Sequence, residues 1–299
     1  MSLFISSFNN ALLKSIFFSL LVFSLYSWGI YRFDPSITTF QNQWVANYSK
    51  AERYIYRHNR PRAIIVGSSM AEKLLDDELD DDVFNLALNG GSVLTGLNII
   101  KKRNMMPDVI FIETNYIERA LDRNMLDGLF TPGIWKIRGA ISSLQYTYQP
   151  INIALSAINN HFGPTHLDKM NSVPDKLILM RSLKSQIQEN SQALLTSDSV
   201  ESESLKKLVN FFEKRKVKIV FFQMPAHKML LSSKNYYAHH SILLSLFPDA
   251  EFYWVNDEVA DDYQTSDGLH LIYKSASEFS SKLNTMIHRS LFDTTKSFD

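Results

Sequence analysis

The sequence predicts an α/β protein: a three-layer, doubly wound parallel sheet with a helical insertion, carried on an N-terminal transmembrane helix. Three observations point there. Short apolar runs without polar alternation recur along the chain and are separated by helical stretches, the mark of a parallel sheet covered on both faces. The uncharged stretch Ser15 to Tyr31, between Lys14 and Arg32, is apolar all round and falls in the range of about 17–25 residues that cross a bilayer. Finally, Ile117 to Ser204 separates the third apolar run from the fourth, too long for a simple crossover.

The elements follow in order. Residues 1–33 read as a membrane anchor, with Trp28 and Tyr31 placed as interfacial aromatics. Bulky Trp28, Ile30 and Tyr31 fill the place of the small-residue site of a cleaved leader, so the segment reads as an uncleaved signal anchor. Lys14 lies on one side of it, and Arg32, Lys50, Arg53, Arg57, Arg60 and Arg62 on the other, so charge alone leans towards a cytoplasmic domain without settling the side. Residues 34–60 are an amphipathic connector in which Trp44, Tyr48, Tyr54 and Tyr56 alternate with charges. They suit a helix packed on the domain or one facing lipid headgroups.

From residue 61 the α/β pattern sets in and continues to 299. Ala63 to Val66 is a first strand ending in a tight turn at Gly67, followed by helical Met70 to Leu79. Val83 to Leu88 is a second strand, Ser92 to Arg103 a helix, and Val109 to Glu113 a third strand. An inserted helical cap or lid spans about 117–204 and closes in a Ser-rich stretch, 197–204, expected as a mobile loop. Leu205 to Arg215 is an amphipathic helix, Val217 to Gln223 a fourth strand, Ser241 to Phe247 helical, Phe252 to Val255 a fifth strand, and Ser275 to Arg289 a closing helix. Right-handed crossovers then make the sheet doubly wound.

Composition removes several classes of function. The 299 residues are 45% hydrophobic and 21% charged, which excludes wholesale disorder. Lys+Arg 31 against Asp+Glu 31 gives no basic surplus for holding nucleic acid. With Cys 0 there are no disulfides, thiolate nucleophiles or zinc–thiolate sites. No metal site is expected. His239 and His240 are adjacent on a helix and point apart, and the acidic run Asp76 to Asp82 lacks EF-hand spacing.

In a doubly wound sheet ligands bind at the carboxyl ends of the strands. Here those ends carry Gly67-Ser68-Ser69, Asn89-Gly90-Gly91-Ser92, Glu113-Thr114-Asn115, Pro225 with His227, and Asp267-Gly268-Leu269-His270. A serine hydroxyl needs a base to become nucleophilic, and His270 has the right intrinsic range for that exchange. Asp267, three residues earlier, can fix the imidazole tautomer from the same turn. Backbone N–H groups of Ser69 and Gly90, with the Asn115 amide, would face an oxyanion. Each residue alone has a plain structural alternative: Ser69 as a helix cap, Gly90-Gly91 as an ordinary turn, Asn115 as a cap, Asp267-x-x-His270 as a helix-start hydrogen bond. Their order and their common sheet edge set them apart.

These blocks resemble those of the SGNH, or GDSL, hydrolase superfamily over roughly Ala63 to Arg289, with the insertion unmatched. Gly67-Ser68-Ser69 stands for Gly-Asp-Ser, and Asn85 to Ser92 for Asn-x-Gly-x-x-Gly-x-Thr, with Gly91 the alternative to Gly90 if the loop is shifted by one. Glu113-Thr114-Asn115-Tyr116 keeps only the asparagine of Gly-x-Asn-Asp, and Asp267-x-x-His270 matches in full. The resemblance implies a flavodoxin-like SGNH fold, catalytic Ser69, His270 and Asp267, and an oxyanion hole at Gly90 and Asn115. It also implies acyl-ester chemistry without a cofactor. Glu113 and His227 are expected close to substrate.

Anchored members with a Gly-Ser-Ser block resemble enzymes that O-acetylate or de-acetylate envelope polysaccharides. By that likeness the expected function is O-acetyl transfer to an envelope or exported polysaccharide through acyl-Ser69, with an esterase or a non-catalytic glycan-binding factor as alternatives. The expected place is the cytoplasmic (inner) membrane, single-pass, with the domain on the periplasmic side. The expected partners are a glycan and a multi-pass membrane protein that delivers the acyl donor, and no nucleic acid.

Overall fold

The computed structural model describes residues 2–162, 176–190, 196–232, 234–255 and 262–292. In chain order they form α1 (Ser2–Phe33), α2 (Gln43–Tyr56), β1 (Ala63–Val66), α3 (Ser69–Glu72), β2 (Val83–Asn85), α4 (Val93–Arg103), β3 (Val109–Glu113) and α5 (Arg123–Leu129). Then come α6 (Ile134–Ala140), α7 (Pro150–Phe162), α8 (Lys176–Asn190), α9 (Val200–Glu213), β4 (Lys218–Phe222), α10 (Lys228–Leu231), α11 (Lys234–Leu246), β5 (Glu251–Tyr253) and α12 (Tyr273–Phe292). The chain divides into two compact units, one of Met1–Glu52 with Leu129–Gly163, the other of Arg53–Gly128 with Pro164–Asp299.

The second unit is α/β. Its five strands are all parallel, in the order β2-β1-β3-β4-β5. The order reverses between β1 and β3, where the carboxyl ends of the strands open a crevice. Side chains alternate across the sheet. Ala63, Ile65, Val109, Phe111, Val220 and Phe222 share one core with Met70 of α3, Leu183 of α8, and Ala276, Phe279, Leu283 and Ile287 of α12. On the other face α4 lies against β1, close enough that a Cβ on Gly96 would stand 3.0 Å from Val66 Cγ1. α9 contacts both α4 and β4 on its own side. Every residue of β1 and β3 is buried, as their unbroken apolar runs require, and each such Val, Ile or Phe contributes about 1.5–3 kcal/mol.

Two sequence expectations change. The helix expected over Met70 to Leu79 is one turn, Ser69–Glu72, followed by a 3₁₀ turn at Asp76–Glu78. The chain leaves the helix because the Leu75 N–H donates to Ser280 Oγ of α12 at 2.9 Å. The Ser-rich stretch expected as a loop instead starts α9: Ser199 Oγ accepts from Ser202 N–H at 3.2 Å, and Ser202 Oγ donates to Thr196 O at 2.6 Å. Of the two settings open for the connector helix α2, packing on the protein fits Tyr48 and Tyr54, which are buried, Tyr54 Oη donating to Met105 O at 3.0 Å, while Trp44 is 47% exposed. Of the insertion, 129–163 falls in the first unit and 117–128 and 164–204 in the second.

The first unit contains α1, which over Asn10–Phe33 is long and apolar enough to cross a membrane, with a mean hydropathy of 1.6. Within this unit Glu52 and Arg138 form a buried ion pair at 3.0 Å, and Glu52 also accepts the Tyr146 N–H at 2.7 Å. Tyr146 in turn packs against Trp44 and Tyr48.

Candidate active site

Ser69 opens α3 directly after β1. Ser68 precedes it in extended conformation and caps the helix, its Oγ accepting the Met70 N–H at 3.2 Å. A one-turn helix has little stability of its own, so the turn is held from below by Glu113 at the end of β3. Glu113 Oε2 accepts the Ser68 N–H at 2.6 Å and, at a longer 3.4 Å, that of Ala71, while Oε1 accepts the Ser68 hydroxyl at 2.8 Å. The carboxylate is 1% exposed. Burial pushes its pKa up, against the bonds from Ser68. Gly67 is the residue that lets the two strands' ends approach: a Cβ there would stand 2.8 Å from both Glu113 Cβ and Ala71 Cβ. Asn85 ties the same turn to β2, donating to Ala71 O at 2.9 Å and accepting from Ala87 N–H at 3.0 Å.

Asp267 and His270 come from a closed loop just before α12. Thr265 and Leu271 pair as an antiparallel bridge, Ser266 N–H donates to His270 O at 2.8 Å, and Gly268 N–H donates to Thr265 Oγ1 at 3.1 Å. Asp267 Oδ1 accepts the N–H groups of Leu269 and His270 at 2.9 and 2.8 Å, which shapes the turn. Its Oδ2 is then aimed at His270 Nδ1, 2.7 Å away, and His270 Nε2 stands 3.0 Å from Ser69 Oγ. The three residues form one hydrogen-bonded chain across a sequence separation of 201 positions. Burial works against ionising Asp267, but the bonds from the His270 ring, the His270 N–H and the Leu269 N–H outweigh it and bring its pKa down to about 2. A carboxylate at Nδ1 assigns the neutral ring's proton to that nitrogen and leaves Nε2 as the acceptor towards Ser69.

The other expected site residues have these surroundings. Gly90 sits in the turn after β2 with φ 67°, and the Gly91 N–H is engaged with Leu88 O at 2.8 Å. Asn115 grips the loop after β4: its Nδ2 donates to Met224 O at 3.0 Å and its Oδ1 accepts the Met224 N–H at 2.8 Å. Glu113, expected beside substrate, underlies the Ser68–Ser69 turn. His227 caps α10, its Nδ1 accepting the Met229 N–H at 3.3 Å, and its backbone N–H donates to Gly268 O at 2.8 Å. It therefore buttresses the Asp267–His270 loop.

Sequence reasoning missed the contribution of α8. Leu183 of this helix is buried against Gly268, whose φ is 98° and whose added Cβ would lie 3.0 Å from Leu183 Cγ. Gln186 Nε2 donates to Asp267 O at 3.3 Å. The only signal for it was the length of the insertion. For Glu113 there was a better one, a carboxylate closing an otherwise apolar central strand. Among the described residues no cluster of three or more His, Cys, Asp or Glu is placed to hold a metal ion. In comparison with known proteins, no family model matches the chain and no curated protein matches it.

Proposed function

We propose that the chain is a membrane-anchored, SGNH-type serine acyl-ester enzyme. The reading supported best is an O-acetyltransferase that acts on a cell-envelope or exported polysaccharide through acyl-Ser69. The observation that carries it is the Ser69–His270–Asp267 chain, at 3.0 and 2.7 Å, at the carboxyl edge of a parallel sheet. Ser69 Oγ attacks the ester carbonyl while His270 Nε2 takes its proton, and ionised Asp267 holds the imidazolium that forms. The Ser69 N–H is one of the unpaired donors at the start of α3. Since the Gly91 N–H is engaged with Leu88 O, Gly90 is the glycine assigned to the oxyanion, and the Nδ2 hydrogen of Asn115 not given to Met224 O is the second donor assigned. His270 then returns the proton to the leaving oxygen. In the second half-reaction Nε2 deprotonates an acceptor hydroxyl, which attacks acyl-Ser69 and frees the serine. No step needs a cofactor.

An acceptor sugar makes the enzyme a transferase and water makes it an esterase. The esterase reading is favoured by the access solvent has to the catalytic pair, whose side chains are 27% (His270) and 36% (Asp267) exposed. The anchor favours an envelope glycan as substrate, at the periplasmic side of the cytoplasmic membrane, with the donor supplied by a multi-pass membrane protein. The test is p-nitrophenyl acetate consumption by the full chain in detergent, with and without acetyl-free oligosaccharides. Acetylated oligosaccharide, detected by mass, supports transfer. Acetate alone supports the esterase, and a folded chain that consumes no ester points to a glycan-binding factor. The Ser69→Ala chain should be inactive throughout.

A further inference from the structure

The first unit contains two helices whose polarity is inverted. In α7 the polar Asn152 and Ser156 are 0% and 2% exposed, while the apolar Ile151 and Ile158 are 47% and 58% exposed. Between them Ala154 and Ala157 are also exposed, so this face is apolar until Asn160 and His161. The inward side chains are fully engaged. Asn152 Oδ1 accepts the Gln41 N–H at 3.2 Å and its Nδ2 donates to Tyr146 O at 2.8 Å. Ser156 Oγ accepts the N–H groups of Thr38 and Thr39 at 3.1 and 3.0 Å. α6 repeats the inversion. Arg138 is buried on Glu52, while Ile134, Ile137 and Ile141 are exposed at helical spacing on one side. In water this arrangement loses twice, by exposing apolar stripes and by burying polar groups. Against lipid both terms reverse.

The position of the pair along α1 agrees. Ser27 and Ser143 hydroxyls are 2.7 Å apart, and Tyr26 Oη donates to Tyr148 O, so residues 143–148 touch the candidate span itself. A 24-residue span is about 36 Å long, against about 30 Å of hydrocarbon. Ser27 lies about 9 Å along the axis from the Phe33 end, hence about 6 Å inside the hydrocarbon boundary of a centred, upright helix. Lys136, exposed beside Trp135 with its Nζ 6.0 Å from the ring, is an interfacial pairing. α6 and α7 are too short to cross a bilayer.

We propose that residues 134–162 are a membrane-embedded platform. Their exposed apolar stripes lie against acyl chains at the interface, and Arg138, Asn152 and Ser156 face inward onto the connector. The proposal rests on α1 spanning the membrane, and the experiment separates the two.

Because the chain has Cys 0, single cysteines can be placed at will and labelled with a bimane fluorophore. The positions are Leu20→Cys in the span, Ile141→Cys and Ile158→Cys on the platform, and Lys214→Cys at the exposed end of α9. The full chain is reconstituted in phosphatidylethanolamine–phosphatidylglycerol vesicles with or without brominated acyl chains. The expected result is loss of fluorescence to bromine at Leu20, Ile141 and Ile158, and none at Lys214. Quenching at Leu20 without quenching at Ile141 and Ile158 overturns the platform while leaving the anchor intact. Excimer emission from pyrene at the same two unquenched positions would reassign the face to a second copy of the chain. No quenching at Leu20 overturns both, and quenching that Lys214 shares equally removes the platform's distinction.

Discussion

Glu113 is the residue on which the placement of Ser69, the proposed nucleophile, depends through Ser68, and Glu113→Gln tests that dependence. The side chain keeps its length, so the Ser68 N–H can still meet an oxygen. Ser68 donates to both carboxyl oxygens, its N–H at 2.6 Å and its Oγ–H at 2.8 Å, and the amide keeps only one of them as an acceptor. A buried donor left without its acceptor costs about 1–3 kcal/mol, so the expected loss is about 2 kcal/mol. In the full chain in detergent that is a fall in Tm of about 4–8 °C, at about 2–4 °C per kcal/mol. Turnover of p-nitrophenyl acetate should fall up to about 100-fold through kcat, as a displacement of about 1 Å at the nucleophile does. The pH dependence has a defined sign. Burial holds the Glu113 pKa above its ordinary value, so the stability of the wild type is fullest below about pH 4.5 and declines as pH rises through the shifted value. The variant has nothing to titrate there. The gap between the two should be widest below the ordinary carboxylate range and narrow as pH rises through the shifted value. Equal Tm and equal kcat would refute the reasoning, and so would a gap that widens with pH.

Three further substitutions probe the rest of the site. Asp267→Asn should lower ester turnover on the order of 10⁴-fold by releasing the imidazole tautomer. Because the Asp267 pKa is brought down to about 2, its contribution to stability holds above the ordinary carboxylate range and disappears as pH falls through about 2. Acid titration of Tm should therefore show wild type and Asp267→Asn converging only in acid. Gly268→Ala, at φ 98° and against Leu183, should cost about 1–3 kcal/mol of stability and disturb His270; adding Leu183→Ala should restore less than the whole, because the backbone strain remains. Asn115→Asp keeps the acceptor for the Met224 N–H but sets a second carboxylate oxygen towards Met224 O. It should depress kcat on the order of 100-fold or more while KM changes little, read from steady-state kinetics.

The strands were legible because burial on both faces leaves a continuous apolar run, as in Ala63 to Val66 and Val109 to Glu113. The candidate catalytic residues were legible because Ser69 directly follows β1 and Asp267 and His270 share the loop before α12, and the fold brings Ser69 and His270 together. Long-range hydrogen bonds were not legible. Nothing local to Leu75 shows that its N–H goes to Ser280, or nothing local to Glu113 that its carboxylate belongs to Ser68. Helix polarity was the other blind spot: nothing in the sequence shows that Asn152 and Ser156 face inward, where the connector's backbone donors reach them. The acidic run closes on the last helix in the same unpredictable way, through Glu78 to Ser277 at 2.5 Å and Asp80 to Asn284 at 3.1 Å.

The central claim is that Ser69 is an activated nucleophile, and the most direct measurement is covalent trapping. The folded full chain in detergent is treated with a fluorophosphonate, digested, and the modified peptide identified by mass. The account predicts a single adduct on the peptide carrying Ser69, absent in Ser69→Ala and formed far more slowly in His270→Ala. A folded chain that takes no adduct, or one that takes it on another serine, would contradict it.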